Sequence, residues 1–399
     1  MEQSTPKELA HEAKQQIQSI DWLSAGAAIG SISAVGLGLG LGLPLLSVIL
    51  ERRGIPATLI GANTAVAGIA SLIAAPLVTP IARIIGVRTA MLAAIVLSAL
   101  SGLGFYYLVP FWTWFPLRLV FHFSITALFV LSEFWINAAA PPARRGFVLG
   151  LYATVLSLGF AIGPWIFSRI GADGPLPFFV GSGVILASAL PLFMAWNRQP
   201  CLTERARGSF WRFLYAVPTA TAAVLIFGAV EAGGFALFPI FGVRIGLSES
   251  AAAQLLTAVG LGNVFMQIPI GLASDRVRDR RTLLAVCSLV GLVGTLCLPL
   301  LTANWWVMAF VLFIWGGVVA GLYTVGLAHL GARLSGSELA SANAAFIFCY
   351  ALGMLIGPQT IGLAMDAAGP NGFAWSLALF FSVYLVLTLV RLVFGGRQA

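Results

Sequence analysis

The sequence predicts an all-α polytopic membrane protein with twelve transmembrane helices, arranged as two six-helix pseudo-repeats. The first observation is composition: the 399-residue chain is 59% hydrophobic and only 9% charged. A soluble domain carries roughly 25% charged residues, so this chain cannot cover a water-exposed surface. The second is that apolar runs of about 20 residues, enough to span a bilayer as helices, recur along the chain. The third is an internal repeat at a shift of about 194 residues.

The apolar runs define twelve spans separated mostly by short connectors. The Arg-rich segment 197–212 is longer and divides the chain into two bundles, 23–196 and 213–394. The polar segment 1–22 is predicted to be a cytoplasmic tail or a surface helix rather than a signal peptide, which would bring an apolar region sooner. Residues 395–399 are predicted to form a C-terminal tail. The predicted spans are approximately 23–50, 56–80, 88–108, 112–139, 146–169, 175–196, 213–241, 250–273, 282–301, 304–331, 339–365 and 372–394.

Lysine and arginine residues predict the orientation. With the N-terminus inside, only Arg52, Arg53, Arg169 and Arg244 fall outside, Arg118 lies within a span, and the others fall inside. Because cytoplasmic loops are enriched in lysine and arginine, both termini are predicted to be cytoplasmic. The net charge of +8 belongs to these connectors, which argues against a nucleic-acid partner. The four cysteines show no metal-ligand spacing and predict neither a metal site nor a disulfide framework.

The internal repeat is visible in two places. "LGFAIGP" from Leu158 matches "LGMLIGP" from Leu352, and each lies in the fifth span of its half. The junctions between second and third spans also correspond, with Pro76 aligned to Pro269. Two like-oriented halves predict a pseudo-twofold axis along the membrane normal with a cavity between the halves.

With these motifs, the chain resembles the major facilitator superfamily over nearly its whole length, and "SEFWIN" with "YATVLSLG" is similar to its YcaD-like bacterial branch. "GLASDR" with "RDRR" looks like the family's cytoplasmic loop signature, with Gly271, Asp275 and Arg276 on signature positions. "GFAIGP" resembles the fifth-span antiporter motif, on Gly159, Gly163 and Pro164. The resemblance implies a transporter that works as a monomer, without a cofactor.

Some family positions differ here. The first-half copy of the loop signature has Val78 and Ala82 in place of its glycine and aspartate, and Phe167 and Ser168 stand near the place of the antiporter motif's trailing glycines. Arg118 sits where many efflux pumps of the family carry an arginine, but "LVFH" follows it.

The resemblance implies that Asp275 docks at the start of the fifth helix, near Arg144 and Arg145, and so closes the cytoplasmic side. A carboxylate is favoured at a helix N-terminus by roughly 0.3–1 kcal/mol. The alternative is a solvated loop acid beside Arg276.

Four polar residues within spans are candidates for proton coupling: Glu231, Glu133, Arg118 and His122. Charged groups at membrane depth are costly and usually face a cavity or a partner. At 100° per residue, Arg118, His122 and Glu133 share one helix face with Phe129, a candidate cavity residue. The alternatives are a structural glutamate at 231, a packing histidine at 122, and a Glu133 held at the surface by Arg144 or Arg145.

Further polar residues at membrane depth are candidates for the substrate cavity, with interhelical hydrogen bonding as the alternative. They are Asn137, Tyr152, Asn263, Gln267 and Asn343.

These features favour a proton-coupled secondary transporter that exports a small amphipathic or lipophilic compound by alternating access. The glycine-rich "VGLGLGLGLP" lacks the Lys-Ser/Thr ending of a phosphate loop and lies within a span, so ATP is not expected to drive the protein. No cluster of catalytic residues is evident, which argues against an enzyme. Proton-coupled uptake, and a non-transporting sensor on the same fold, remain alternatives.

Overall fold

The structure is a computed structural model that describes residues 20–141, 144–200, 217–331 and 336–394. Most of the predicted N-terminal tail and linker, and all of the C-terminal tail, lie outside the described residues. The helices are α1 Trp22–Arg52, α2 Ala57–Ile85, α3 Val87–Tyr107, α4 Trp114–Ala139, α5 Arg145–Ile170, α6 Leu176–Met194, α7 Pro218–Arg244, α8 Glu249–Arg276, α9 Arg280–Cys297, α10 Trp305–Gly331, α11 Gly336–Ala368 and α12 Asn371–Val393.

Within the described ranges, twelve helices are long and apolar enough to cross a membrane, which confirms the predicted all-α fold. Helices are expected there because each backbone N–H and C=O must be satisfied within the segment when lipid surrounds it. The ends of α2 differ from the predicted span 56–80 by one and by five residues. The helix begins at Ala57 and continues through Pro80 to Ile85, where Gly86 adopts a φ of 88° and stops it.

The bundle has two ends, which we name by the chain. The terminal face is the end at which α1 begins and α12 ends, and the opposite face is the end at which α1 ends and α12 begins. Successive helices run alternately between the two faces. Side chains cap several helices, as where the Asp21 carboxylate accepts a hydrogen bond from the Ser24 N–H at 3.3 Å and the Ser248 hydroxyl accepts one from Ala251 at 3.1 Å.

The internal repeat has a structural counterpart in the prolines within the helices. Proline inside a helix removes one backbone hydrogen bond and bends the helix. Three pairs of helices at corresponding positions in the halves each carry one at a shift of 193 to 195 residues: Pro44 and Pro239 in α1 and α7, Pro76 and Pro269 in α2 and α8, and Pro164 and Pro358 in α5 and α11.

The repeated glycine motif packs the same pair of helices in each half. A Cβ atom on Gly159 of α5 would lie 2.6 Å from the Cα of Gly36 on α1, and Gly163 is as close to Gly40. In the second half, Gly353 of α11 meets the backbone of α7, with 2.8 Å from its ideal Cβ to the Ala229 nitrogen. The glycines therefore allow close helix contact, as small residues do at membrane helix interfaces.

Candidate functional site

A central cavity of about 1150 Å³ lies between the two halves. Helices α1, α2, α4 and α5 line it from the first half, and α7, α8, α10 and α11 line it from the second. Most of the wall is apolar or aromatic. The polar side chains on it are those of Ser71, His122, Thr126, Ser157, Glu231, Asn263, Gln267, Tyr323, Thr324 and Tyr350.

Glu231 is the acidic residue on this wall. It is half-buried on α7, and its Oε2 accepts a hydrogen bond from the Tyr350 hydroxyl of α11. Phe227, one turn earlier on α7, packs against Tyr323 and Tyr350, with ring centroids 5.7 and 6.3 Å apart. No ion pair involves Glu231 among the residues that the structure describes. The carboxyl group therefore sits in an aromatic environment with a phenol as its partner.

A basic cluster lies in the first half, on α4 and α2. Arg118 is completely buried, and its Nε donates a hydrogen bond to Oδ1 of Asn63 at 3.0 Å. The Nδ1 of His122 lies 3.2 Å from the Arg118 carbonyl oxygen, which assigns the proton to Nδ1 in the neutral ring. Within the described ranges, Nη1 and Nη2 of Arg118 and Nε2 of His122 have no hydrogen-bond partner. The cluster is thus a buried cation that is only partly satisfied.

The structure does not bring Arg118 and Glu231 into a pair. Arg118 contacts Asn63, Glu231 contacts Tyr350, and only His122 of the basic cluster reaches the cavity wall. The two centres stand on different halves, and the cavity separates them.

The other predicted cavity residues divide into two groups. Phe129, Asn263 and Gln267 line the cavity, and Gln267 Oε1 accepts a hydrogen bond from the Ser157 hydroxyl across the halves at 3.3 Å. The remaining three are not among the lining residues. Tyr152 is buried and hydrogen-bonds Ser132 at 2.9 Å, Asn137 donates to the Glu133 carbonyl oxygen at 2.8 Å, and Asn343 is half-buried on α11.

Glu133 stands one turn from the cavity, toward the terminal face. It is half-buried on α4, and Phe129 on the same helix lines the cavity while Glu133 does not. No ion pair joins Glu133 to a basic residue whose side chain the structure describes. The side chain of Arg145 is not among those described. Arg144 is exposed.

At the terminal face, no ion pair between described residues joins the second-half members of the predicted gate to the first half. The Asp275 side chain is 75% exposed, and its Oδ1 lies 3.8 Å from Nη2 of Arg280, a residue of its own half. Arg276 is exposed, and a Cβ on Gly271 would meet no atom within 4 Å. The docking of Asp275 at the start of α5 is absent from this conformation as far as the described residues show.

At the opposite face, ion pairs join the halves. Arg244 at the end of α7 donates hydrogen bonds to both carboxylate oxygens of Glu51 at the end of α1, at 2.8 and 3.1 Å. Arg52 holds Glu249 at the start of α8 in the same bidentate way, at 2.6 and 2.7 Å. Asp366 of α11 accepts hydrogen bonds from the first N–H groups of α2, at 3.1 and 2.7 Å. Sequence reasoning missed this network because the partners lie 193 to 309 positions apart in the chain.

Comparison with known proteins supplies the family. The model of the Major Facilitator Superfamily matches residues 28–258 and 219–398. The "Uncharacterized MFS-type transporter YfkF" of Bacillus subtilis is 28% identical over 367 residues, covering 90% of this chain and 93% of that protein. The "Uncharacterized MFS-type transporter YcaD" of Escherichia fergusonii is 25% identical over 306 residues, covering 76% and 78%, which confirms the predicted resemblance to that branch.

Solved structures agree on the fold. The crystal structure of a D-xylose-proton symporter is similar with a TM-score of 0.75 at 15% identity, covering 92% of this chain and 96% of that one. The nucleoside transporter NupG is similar with a TM-score of 0.73 at 13% identity, covering 94% and 100%. The chain therefore belongs to the Major Facilitator Superfamily, and it is a multi-pass membrane transporter rather than an enzyme.

Proposed function

We propose that this protein is a proton-coupled secondary transporter that moves a small amphipathic or lipophilic compound across the bacterial inner membrane, in the efflux direction. The observation that carries this proposal is the position of Glu231. Its carboxyl group stands on the wall of a large cavity between the halves, with Tyr350 as hydrogen-bond partner and with no basic partner among the described residues.

Such a carboxyl group suits a proton carrier for an electrostatic reason. A permanent salt bridge would hold the group ionised, whereas a phenol can donate to the carboxylate and can accept from the protonated acid. Glu231 can therefore keep its contact with Tyr350 in both protonation states. Arg118 contributes a positive electrostatic field from the first half, His122 is a candidate proton-coupling group on the cavity wall, and Glu133, near the cavity, is the proposed proton station toward the cytoplasm.

The composition of the cavity wall supports a lipophilic cargo. Aliphatic and aromatic side chains such as Phe129, Phe160 and Phe227 make up most of it. Binding pockets of this kind hold apolar ligands, with a few polar groups that fix orientation. The wall also carries few charged groups, which fits a lipophilic cargo better than a sugar or a phosphate.

Alternating access is supported by the contrast between the two ends. Ion pairs hold the halves together at the opposite face, while Asp275 at the terminal face is exposed and lies nearest Arg280 of its own half. We assign the terminal face to the cytoplasm, following the distribution of basic residues. The conformation is then open to the cytoplasm. Closure would bring Asp275 to Arg144 and Arg145 at the start of α5.

The test measures proton-driven movement of a fluorescent lipophilic cationic dye in everted membrane vesicles. Vesicles with the overexpressed protein are energised, and dye quenching is followed with and without a protonophore. We expect protonophore-sensitive dye accumulation in wild type and its loss in Glu231→Gln. Glu133→Gln tests the second carboxyl group. Glu338→Gln, an exposed residue of α11, is the matched control and should behave as wild type.

Each outcome has a clear meaning. Accumulation that persists in Glu231→Gln contradicts the assignment of this residue as proton carrier. Movement of the dye in the reverse direction supports uptake instead of efflux. No movement in wild type contradicts the proposed lipophilic cargo and favours a sensor role.

A further inference from the structure

The second half contains an apolar side chamber that opens from the central cavity. The chamber is about 630 Å³ in volume and lies among α7, α8, α10 and α12. Five residues line both spaces: Phe160, Phe227, Glu231, Asn263 and Ala320. These five residues mark the border between the two spaces, which we call the mouth of the chamber, and Glu231 stands on it.

Behind this mouth the chamber wall is apolar. It includes Phe235, Phe238, Leu256 and Phe373. Besides Glu231 and Asn263 at the mouth, the polar side-chain group on the wall is the indole N–H of Trp315, which donates to the Gly291 carbonyl oxygen at 3.0 Å and is thereby satisfied. The chamber thus offers an apolar surface behind one carboxyl group and one amide.

The described part of the first half differs in this respect. Its apolar pocket of about 390 Å³ lies among α1, α3, α4 and α6. None of the residues that line this pocket also lines the central cavity. A compound in the cavity can therefore extend into the second half but not into this pocket of the first half.

We propose that the side chamber binds the apolar body of an amphipathic organic amine, whose ammonium group is held by Glu231 at the mouth. The aromatic rings of Phe227, Tyr323 and Tyr350 stand at the same place, and ring faces attract organic cations. The inference rests on the proposed function and deepens it, because it names the substrate class and the place where the substrate is held.

Gly234 of α7 offers a direct way to block the chamber. It lies on the chamber wall, and a Cβ at this position would meet no atom within 4 Å. A side chain at this position therefore starts in open space, and a leucine is expected to project into the chamber. Gly42 of α1 is the matched control, since it is equally open and lines the separate pocket of the first half.

The test uses n-alkylammonium ions from butyl to dodecyl as probes. Their binding to the purified full-length protein in nanodiscs is measured by calorimetry, with empty nanodiscs as the correction for partition into lipid. In wild type we expect the affinity to rise roughly fourfold per methylene until the chamber is filled, since burying one CH₂ contributes about 0.8 kcal/mol. Alkanols of the same lengths should bind more weakly, because they lack the charge that pairs with Glu231.

The two glycine variants test whether the alkyl chain of the probe binds in the side chamber. Gly234→Leu should keep the wild-type affinity for butylammonium and lose at least about tenfold for dodecylammonium, because the added side chain takes the place of several methylenes. Gly42→Leu should follow wild type throughout. Equal affinities in Gly234→Leu and wild type, or no binding of any amine to wild type, would overturn the proposal. An affinity that rises with chain length equally in Gly234→Leu and Gly42→Leu would indicate a lipid-like site elsewhere. This result would also overturn the proposal.

Failure of this inference can be separated from failure of the proposed function, because binding is measured without a proton gradient. Chain-length-dependent binding that Gly234→Leu abolishes, without any proton-driven flux, supports the chamber and contradicts the transport proposal. Proton-driven flux with unchanged amine binding in Gly234→Leu contradicts the chamber and leaves the transport proposal intact.

Discussion

The two halves of the molecule share one plan and differ in what they bury. In the first half, α4 and α2 enclose the Arg118–Asn63–His122 cluster, and the apolar pocket is closed off from the cavity. In the second half, α7 and α11 present Glu231 and Tyr350 to the cavity, and an apolar chamber opens beside them. The repeat thus conserves helix packing, while each half carries its own charge and its own cavity.

This difference suggests a division of labour. An arginine stays protonated at working pH and supplies a fixed charge. A carboxyl group can change its charge, and therefore it can couple proton binding to a change of conformation or of ligand. We propose that the first half supplies a constant field and that the second half carries out the binding and release steps.

The largest expected effect is at the close glycine contacts between helices, which both halves share. Gly159→Leu would place a side chain against the backbone of Gly36, where a Cβ already lies 2.6 Å from Cα. Overpacking typically costs about 1–3 kcal/mol and occasionally more. We expect a lower midpoint of thermal unfolding in detergent, and a similar loss for Gly353→Leu at the same position of the repeat. Gly150→Leu on α5, where a Cβ meets nothing, should unfold as wild type does; equal losses in all three would contradict the packing role.

The next prediction concerns the buried cluster of the first half. Asn63→Ala removes the described hydrogen-bond partner of the Arg118 side chain and should destabilise the protein by about 1–3 kcal/mol, because it leaves a buried donor unsatisfied. The matched variant in the second half is Asn263→Ala. Asn263 is half-buried on the cavity wall, where solvent can replace its contacts, so we expect a much smaller effect. Thermal unfolding of the two variants checks this, and a reversed order would contradict the asymmetry.

A smaller effect is expected at the start of α9. Asp279 accepts a hydrogen bond from the Arg281 N–H at 2.9 Å, whereas α3, its counterpart in the first half, begins after Gly86 without a side-chain cap. Asp279→Ala should lower stability by about 1 kcal/mol, the usual size of an N-cap.

The effect at Asp279 should depend on pH in a defined direction. Burial alone would raise the pKa of Asp279, but hydrogen bonds and charge from Arg281 outweigh it and leave the pKa below the ordinary value of 3.8. Because the pKa is lower in the folded protein, the stabilisation is present above about pH 4 and is lost as the pH falls further. Unfolding curves of wild type and Asp279→Ala should therefore converge in acid; a constant difference would contradict the charge contribution.

The smallest effect is expected where the halves meet. Arg244→Gln removes the bidentate contact with Glu51 at the opposite face. Partly exposed ion pairs contribute about 0–1 kcal/mol, so the population open at that face should rise at most severalfold. Labelling of a cysteine at Ala57, which is fully buried there, would report the opening in a protein without native cysteines. Arg278→Gln, exposed at the terminal face, is the control. Equal labelling of the two variants would contradict a role of the Arg244–Glu51 ion pair in keeping the opposite face closed.

Much of the fold could be predicted from the sequence because a bilayer imposes simple rules. A span must be apolar for about 20 residues, and the repeat of "LGFAIGP" as "LGMLIGP" revealed the two halves. Glu231 and His122 could be assigned to a cavity because polar groups at membrane depth require a reason to be there.

The remaining features depend on distances between helices. Tyr350 looks like any aromatic residue of a span, and only the packing of α7 on α11 makes it the partner of Glu231. The Glu51–Arg244 pair joins residues 193 positions apart in the chain, so the sequence alone could not match them. The side chamber is a gap between helices, and its volume follows from packing rather than from any motif.

The most direct test of the account is an infrared titration of the carboxyl groups in the reconstituted protein. The carbonyl stretch of a protonated carboxylic acid is followed against pH in wild type, Glu231→Gln and Glu133→Gln, without any assumed substrate. We predict a titrating band from a buried acid that is present in wild type and in Glu133→Gln and missing in Glu231→Gln. The same band in all three proteins, or its loss only in Glu133→Gln, would contradict the claim that the second half carries the proton at Glu231.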